Sequence, residues 1–464
     1  MSFYKRTNSL IFIEQIMKKT LLTLGLFCTQ QLFAQTIVQR DTEIEQMVKE
    51  ISADSMHTYI NQLVTFGTRS TLSTTTDKKR GIGSAREWVV QKFNEFGRNS
   101  GGRLTAYVDT TTLAADGRRV DTATSLGNAM AILKGTDPND DRIYIISGHL
   151  DSRVTDVMNR KSDAPGANDD GSGTAAVMEC ARVMSRHSFP ATIIFVAVSG
   201  EEQGLLGSTF LATTAKTKNW NVDAMLNNDI MGSNNSNETN IIDNTRLRVF
   251  SEGLSALDTG RVAANIRSLG LENDSRSRQL ARYVKETGER YVDNLEVVMV
   301  YRSDRFLRGG DHSPFLQKGY AAVRLTEMNE NYNHQHQDLR TDKGTVYGDL
   351  ISFMDFEYLR KNTGVNLSTL ANLAKAPSEP QSVTIEVKNL TNSTTINWKA
   401  PKSGQPKGYY LLMRETTSAV WQKKIFTTQT SITLPYSKDN YFFAVQSVGA
   451  AGNESLPVVP GVGR

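Results

Sequence analysis

The chain of 464 residues has almost no cysteine, only Cys28 and Cys180. That scarcity excludes thiolate zinc clusters and a disulfide-stapled fold. No apolar run reaches the length of about 18 residues that a membrane-spanning helix needs. Internal repeats and low-complexity tracts are missing too, which excludes a solenoid. Neither sign of charge dominates: Lys and Arg number 53, Asp and Glu 49, and the net charge is +4. Such a balance gives no case for nucleic acid or an anionic membrane as partner. What is present is ordinary for a soluble globular protein, with 39% hydrophobic and 22% charged residues and length enough for two or three domains.

The first residues read as a targeting segment. Lys18 and Lys19 precede an apolar run over 21–27, and Ala34 stands before polar Gln35. A basic region, an apolar region and a small-residue cleavage site make a secretory signal peptide over 1–34, with Met17 as a candidate start. Bulky Phe27 before Cys28 favours ordinary cleavage over lipidation. The expectation is an exported protein, secreted or periplasmic. Cleavage leaves Cys180 alone. It sits in a helical apolar pattern with Val177, Ala181 and Met184, which marks a core thiol rather than a nucleophile.

From 43 to 97 the pattern is helical, with Ser84 and Glu87 read as a capping box and Gly97 as the stop. Strand-like runs follow at 105–108, 128–133, 143–147, 192–198, 222–226, 295–301 and 321–325, with helices at 174–184 and 205–213. Continuous apolar strands separated by helices predict an α/β fold: a mixed, largely parallel sheet sandwiched by helices. Residues 232–294 read as a polar excursion and 302–310 as a surface loop. Pro377 and Pro380 mark a linker, after which period-two strands recur to the end. The expected division is a catalytic domain over 35–375 and a small all-β sandwich over 376–464. Trp398 and the alternation from Tyr441 to Ser447 resemble a fibronectin type III domain.

The chemistry is concentrated in short segments after the apolar runs: SGHLDS with His149 and Asp151, GANDDGSG with Asp169 and Asp170, SGEEQG with Glu201 and Glu202, NNDIMG with Asp229, and NHQHQD with His334, His336 and Asp338. Each alone has a bland reading: a cap, a solvated acidic pair, a hydrogen-bonded histidine. Their joint placement beyond strand C-termini, where ligands bind in open α/β sheets, points to a metal-assisted hydrolase. Imidazole and carboxylate are the donors zinc takes when cysteine is missing.

These segments, together with GGDHSPF, resemble the di-zinc aminopeptidase family that includes aminopeptidase S, aminopeptidase Y and glutamate carboxypeptidase. The resemblance covers about 45–372 and implies the zinc exopeptidase fold. It implies two Zn²⁺ per chain, one on His149 and Asp229, the other on Glu202 and His334, with Asp169 bridging. Asp151 would orient His149 and Glu201 would be the general base. It also implies a cis bond between Asp169 and Asp170. His334 and His336 compete for the last position, and His334 is chosen because Asp338 then falls at the family's HxxxD spacing. Asp311 and His312 match a pair near the family's substrate pocket. The tyrosine that some relatives place before that pair is replaced here, with Tyr301 or Arg308 as candidates.

The implied function is an exported aminopeptidase acting on peptide or protein N-termini. Alternatives are a carboxypeptidase or dipeptidase on the same scaffold, a one-metal glutaminyl cyclase, and an inactive binding protein. The C-terminal sandwich is a candidate for surface or polymer attachment.

Overall fold

β-Branched and aromatic residues make the central strands, and their runs are apolar on both faces because helices cover both sides. The computed structural model describes residues 38–463. The candidate signal peptide, Met17 and Cys28 lie outside the described residues. Helices α1 (Thr42–Lys49), α2 (Ala53–Thr65) and α3 (Gly81–Gly97) come first. Strands β1 (Leu104–Leu113), β2 (Thr124–Leu133) and β3 (Arg142–His149) lead to α4 (Gly171–Met184), β4 (Thr192–Val198), α5 (Leu206–Thr217) and β5 (Asn221–Asn228). Then come β6 (Arg246–Phe250), α6 (Gly260–Ser268), α7 (Arg276–Tyr291), β7 (Glu296–Val300), α8 (Ser313–Gln317) and β8 (Ala322–Glu327). A short hairpin, β9 (Arg340–Asp342) and β10 (Thr345–Tyr347), precedes the long helix α9 (Phe356–Lys375).

These strands form an eight-stranded mixed sheet in the order β1-β2-β4-β3-β5-β8-β6-β7. The centre, β4-β3-β5-β8, is parallel, and so is the pair β6-β7. The β1-β2, β2-β4 and β6-β8 pairs are antiparallel. Helices α2, α4 and α9 pack together over one face in a large core that includes Tyr144, Ile146, Phe195, Leu226, Met178 and Leu370. A smaller core under α5 and α8 covers the other face, with Ile145, Ile194, Val196 and Phe315. Cys180 is buried within the first core, as its helical pattern predicts.

Two local expectations are corrected. Ser84 does not cap α3; the helix begins at Gly81, and the Ser84 hydroxyl donates back to the Asp77 carbonyl at 2.5 Å. The stretch 232–294 is no mere excursion, because it supplies the sheet strand β6 and the buried helix α7.

After Ala376 the chain is all β, as expected. Strands β11 (Gln381–Ile385), β12 (Thr394–Lys399), β15 (Ser431–Leu434) and β17 (Gly461–Val462) make one sheet, and β13 (Gly408–Glu415), β14 (Lys423–Thr427) and β16 (Tyr441–Val448) another. Ile396, Trp398, Leu411 and Val445 fill the space between them. This unit docks through buried charge. Both nitrogens of the Arg290 fork donate to Glu454 at 2.9 Å, and Arg414 meets Asp274 at 2.6 Å. Asn372 donates to Glu454 at 2.7 Å, which ties the sandwich to α9. No helix among the described residues is long and apolar enough to cross a membrane.

Candidate metal centre

The parallel strands end on one side of the sheet, and their tips carry the site. His149 is the last residue of β3. Glu201 and Glu202 stand in the turn after β4, Asp229 directly follows β5, and His336 lies in the loop after β8. Asp169 precedes α4, whose N-cap is Asp170. The Asp169–Asp170 peptide is cis, as the resemblance implies.

Asp169 faces both histidines. Its Oδ1 is 3.0 Å from His149 Nε2 and its Oδ2 is 3.0 Å from His336 Nε2. His336 Nε2 also lies 2.9 Å from Glu202 Oε1, and His149 Nε2 lies 3.9 Å from Asp229 Oδ1. Three groups of three donors result among the described residues: His149–Asp169–Asp229 and Asp169–Glu202–His336, which share Asp169, and His149–Glu201–Glu202, which links them. Within each, the donor atoms lie within 4.8 Å of one another.

The surroundings orient these donors. His149 Nδ1 is 3.0 Å from the Asp151 carbonyl. A carbonyl only accepts, so Nδ1 carries the proton and Nε2 keeps its lone pair for the site. The Asp151 carboxylate accepts from Thr71 Oγ1 at 3.0 Å and from the backbone of Glu201 and Glu202 at 3.3 and 3.2 Å. It therefore fixes the turn that presents both glutamates. Asp349 accepts from the backbone N–H of Asp169 at 2.7 Å, and burial pushes its carboxyl up to about 7. Asp170 accepts from the backbone of His149, Gly173 and Ile230, stitching β3, α4 and β5 together. Ile230, beside Asp229, has a φ of 62°. A β-branched residue adopts that left-handed conformation only where its surroundings hold it. Its carbonyl accepts from Glu327 N at 2.8 Å and Thr326 Oγ1 at 3.0 Å.

The donors fit a divalent cation. Asp169, Glu202 and Asp229 are buried to 5%, 4% and 3% exposure, faced by two imidazoles and by Arg324, whose Nη2 is 2.9 Å from Asp229 Oδ1. Buried carboxylates at such density need positive charge. Burial disfavours a proton on His336, but Glu202 and Asp169 outweigh it and push the imidazole up to about 10. A cation held there takes the place of that proton. Nitrogen and oxygen donors without sulfur suit zinc.

Two expected site residues are elsewhere. His334 does not join the donors. Its ring stacks on Phe353 at 3.7 Å between centroids, with an interplanar angle of 3°. The HxxxD spacing misleads because the turn places His336 in the left-handed region, φ 51°, and swings its ring inward. Tyr301 faces the C-terminal sandwich, donating to the Ala419 carbonyl at 3.2 Å under Arg278. The sheet edge at β7 carries it away from the site. Asp311 is fully buried, its carboxyl pushed up by burial to about 7, with His149, Asp151 and Asp229 among the charges acting on it. His312 is also buried and donates through Nε2 to the Ser303 carbonyl at 2.7 Å. Arg308 stays at the rim, 3.4 Å from Glu330.

With this geometry in view, the comparisons decide the family. A model of peptidase family M28 matches residues 128–345. A probable zinc metalloprotease of Leptosphaeria maculans is 44% identical over 421 residues, covering 90% of this chain and 97% of its own.

The chain belongs to peptidase family M28.

A second relative, a probable zinc metalloprotease of Pyrenophora tritici-repentis, is 44% identical over 425 residues and covers 90% of this chain and 87% of its own. Among solved structures, LapA of Legionella pneumophila shares the fold with a TM-score of 0.51 at 20% identity, over 73% of this chain and 78% of that one. This M28 chain is thus a zinc-dependent metallopeptidase with a zinc exopeptidase fold. Arg324, Asp349 and, apart from Arg308, the arginines around the site escaped the sequence reading. Asp349 sits in no motif, and scattered arginines look like solvated charge.

Proposed function

We propose that this M28 chain is an exported di-zinc aminopeptidase, with His149, Asp169 and Asp229 holding one zinc and Asp169, Glu202 and His336 the other. The observation that carries the reading is Asp169, which turns one carboxylate oxygen toward each histidine at 3.0 Å. A zinc pair at such a site polarises the scissile carbonyl and favours ionisation of water. Glu201 adjoins both groups and lines the open cavity, so it is the group that accepts a proton from the attacking water. Burial, and then the nearby Glu202 and Asp229 charges against that of His149, raise its carboxyl well above the ordinary range. A raised carboxyl takes the proton of water more readily, and the same group can then pass it to the leaving amine nitrogen. Asp151 acts by positioning, through His149 and the 201–202 turn. Glu201 lines the cavity and the buried Asp311 lies near it, so carboxyl oxygens are there to accept hydrogen bonds from a free α-amino group.

A carboxypeptidase or dipeptidase reading is favoured by one observation, the arginines at the rim of the same cavity. Amino-acid arylamides with free and acetylated amino groups separate the two. The aminopeptidase reading expects hydrolysis of the free forms only, lost on chelation and restored by zinc. Hydrolysis that requires a free C-terminal carboxylate, or a metal content of one per chain with cyclising activity, would replace it.

A further inference from the structure

The cavity beside Glu201, Glu202 and His336 has a volume of about 560 Å³, and four arginines line it: Arg119, Arg153, Arg305 and Arg308. Their partners do not match their charge. Arg119 donates to the backbone carbonyl of Glu202 at 2.6 Å. Arg153 donates to the carbonyls of Val154 and Thr155, and the carboxylate nearest it, Glu202 at 3.9 Å, is already committed to His336. Arg305 and Arg308 share one oxygen of Glu330 at 3.0 and 3.4 Å, while Arg248 takes the other at 2.8 Å. Arg305 also meets Asp304 at 3.3 Å, but Asp304 is shared with Arg324 at the same distance. Two carboxylates thus serve four guanidinium groups, and two more guanidinium groups lean on neutral carbonyls. Glu202 and Asp169 lose their charge to whatever cation occupies the centre, so they do not neutralise this wall.

A concave wall with surplus guanidinium charge, in reach of the reacting centre, selects an anion. The planar fork of arginine fits a carboxylate in bidentate fashion. We propose that this cavity takes a substrate carboxylate, and that Arg153 and Arg308 confer specificity for it. The proposal rests on the peptidase reading of the adjoining centre. The carboxylate has two peptide sources: an acidic side chain next to the scissile bond, or the free C-terminus of a short peptide. Arg305 is mostly a support, because it is buried against Glu330 and Asp304.

The test compares isosteric substrates on the zinc-loaded full chain. Glu-anilide against Gln-anilide and Ala-Glu-amide against Ala-Gln-amide probe an acidic side chain. Ala-Ala against Ala-Ala-amide probes the C-terminus. The carboxylate form of at least one pair should exceed its amide in kcat/KM by roughly tenfold or more, the scale of a charge-assisted hydrogen bond. Raised salt should shrink that ratio, and in the double variant Arg153→Gln, Arg308→Gln it should fall toward one. Glutarate and glutaramide serve as uncleaved probes by calorimetry, with zinc content checked in every sample. Carboxylate binding by the metal alone would be unchanged in the double variant, and that result would overturn the proposal. So would ratios at or below one for all three pairs while the neutral amides are cleaved. Absence of all hydrolysis, with glutarate binding that is still lost in the double variant, would sink the peptidase reading and leave the carboxylate site standing.

Discussion

His336 and His334 are two residues apart, yet their replacement should have opposite consequences. His336 Nε2 stands within 3.0 Å of both Asp169 and Glu202, so it supplies one of three donors to its group. Losing a partner that merely supports a metal ligand costs about 10–100-fold in metal affinity. Losing the ligand itself should cost more, so His336→Ala should weaken metal binding at that group by over roughly 100-fold. In the proposed two-zinc centre, metal content then falls toward one per chain and kcat/KM on an arylamide collapses. His334 offers only its stack on Phe353. A ring pair contributes about 0.5–1.5 kcal/mol, so His334→Ala should lower the melting temperature by at most about 4 °C. Its metal content and kcat/KM should stay within about threefold of the parent. The assay is metal analysis after dialysis against buffered zinc, paired with steady-state kinetics and a thermal melt. Full metal occupancy in His336→Ala, or loss of metal in His334→Ala, would refute the ligand geometry.

Other outcomes follow from the same structure. Glu201→Gln should keep its zinc and lose roughly 10²–10⁴-fold in kcat; parent-like turnover would reject Glu201 as the base. Metal affinity of the zinc-free chain should rise with pH up to about 10, because a cation must displace the proton that Glu202 and Asp169 hold on His336; a flat profile by competition titration would contradict this. Chelation should lower the melting temperature as well as activity, since Asp169, Glu202 and Asp229 are left crowded and buried. Glu454 is held down to about 2 by Lys424 and Arg290 against its burial. Its folded pKa lies below the unfolded value of about 4.5, so its stabilisation, on the order of 3 kcal/mol, is present above that pH and is lost as pH falls from about 4.5 to 2. Unfolding midpoints of Glu454→Gln should therefore show a flatter acid limb than the parent.

How far the sequence revealed this depended on the range of the signal. Strands 192–198 and 143–147 were legible because a buried parallel strand must be apolar on both faces. The position of the site followed, since the C-terminal tips of the parallel central strands gather on one side. Strand β6 was missed because Arg246 and Arg248 interrupt its apolar residues, and α9 because buried Asn, Ser and Thr dilute its apolar face. His336 was weighed and passed over because chain spacing ignores φ, and one left-handed residue reverses which ring points inward. Tyr301 was placed wrongly because nothing local shows that the C-terminal sandwich covers the edge of the sheet that carries it.

The arginines expose a deeper limit of one-dimensional reading. Arg119 follows a turn before β2, Arg153 a turn after β3, and Arg305 and Arg308 a loop before α8. In sequence only Arg308 stands out, as a candidate beside the Asp311–His312 pair, and each of the others is one more exposed cation in a nearly neutral chain. The fold brings those segments to the end that carries the metal donors: Arg153 leaves parallel β3, Arg119 enters β2, which runs antiparallel to β4, and the loop before α8 returns to Glu330 after β8. An acidic floor and a cationic rim then share one cavity, although neither is a contiguous motif. Under the proposed aminopeptidase and carboxylate-site readings, opposite charges so arranged would grip a peptide that is itself a dipole, its amine toward Glu201 and a carboxylate toward Arg153 and Arg308. A long neutral peptide would satisfy only the floor. The charge layout therefore argues for short or acidic peptides over arbitrary chains, and a length series of neutral peptides whose kcat/KM does not fall with length would count against it.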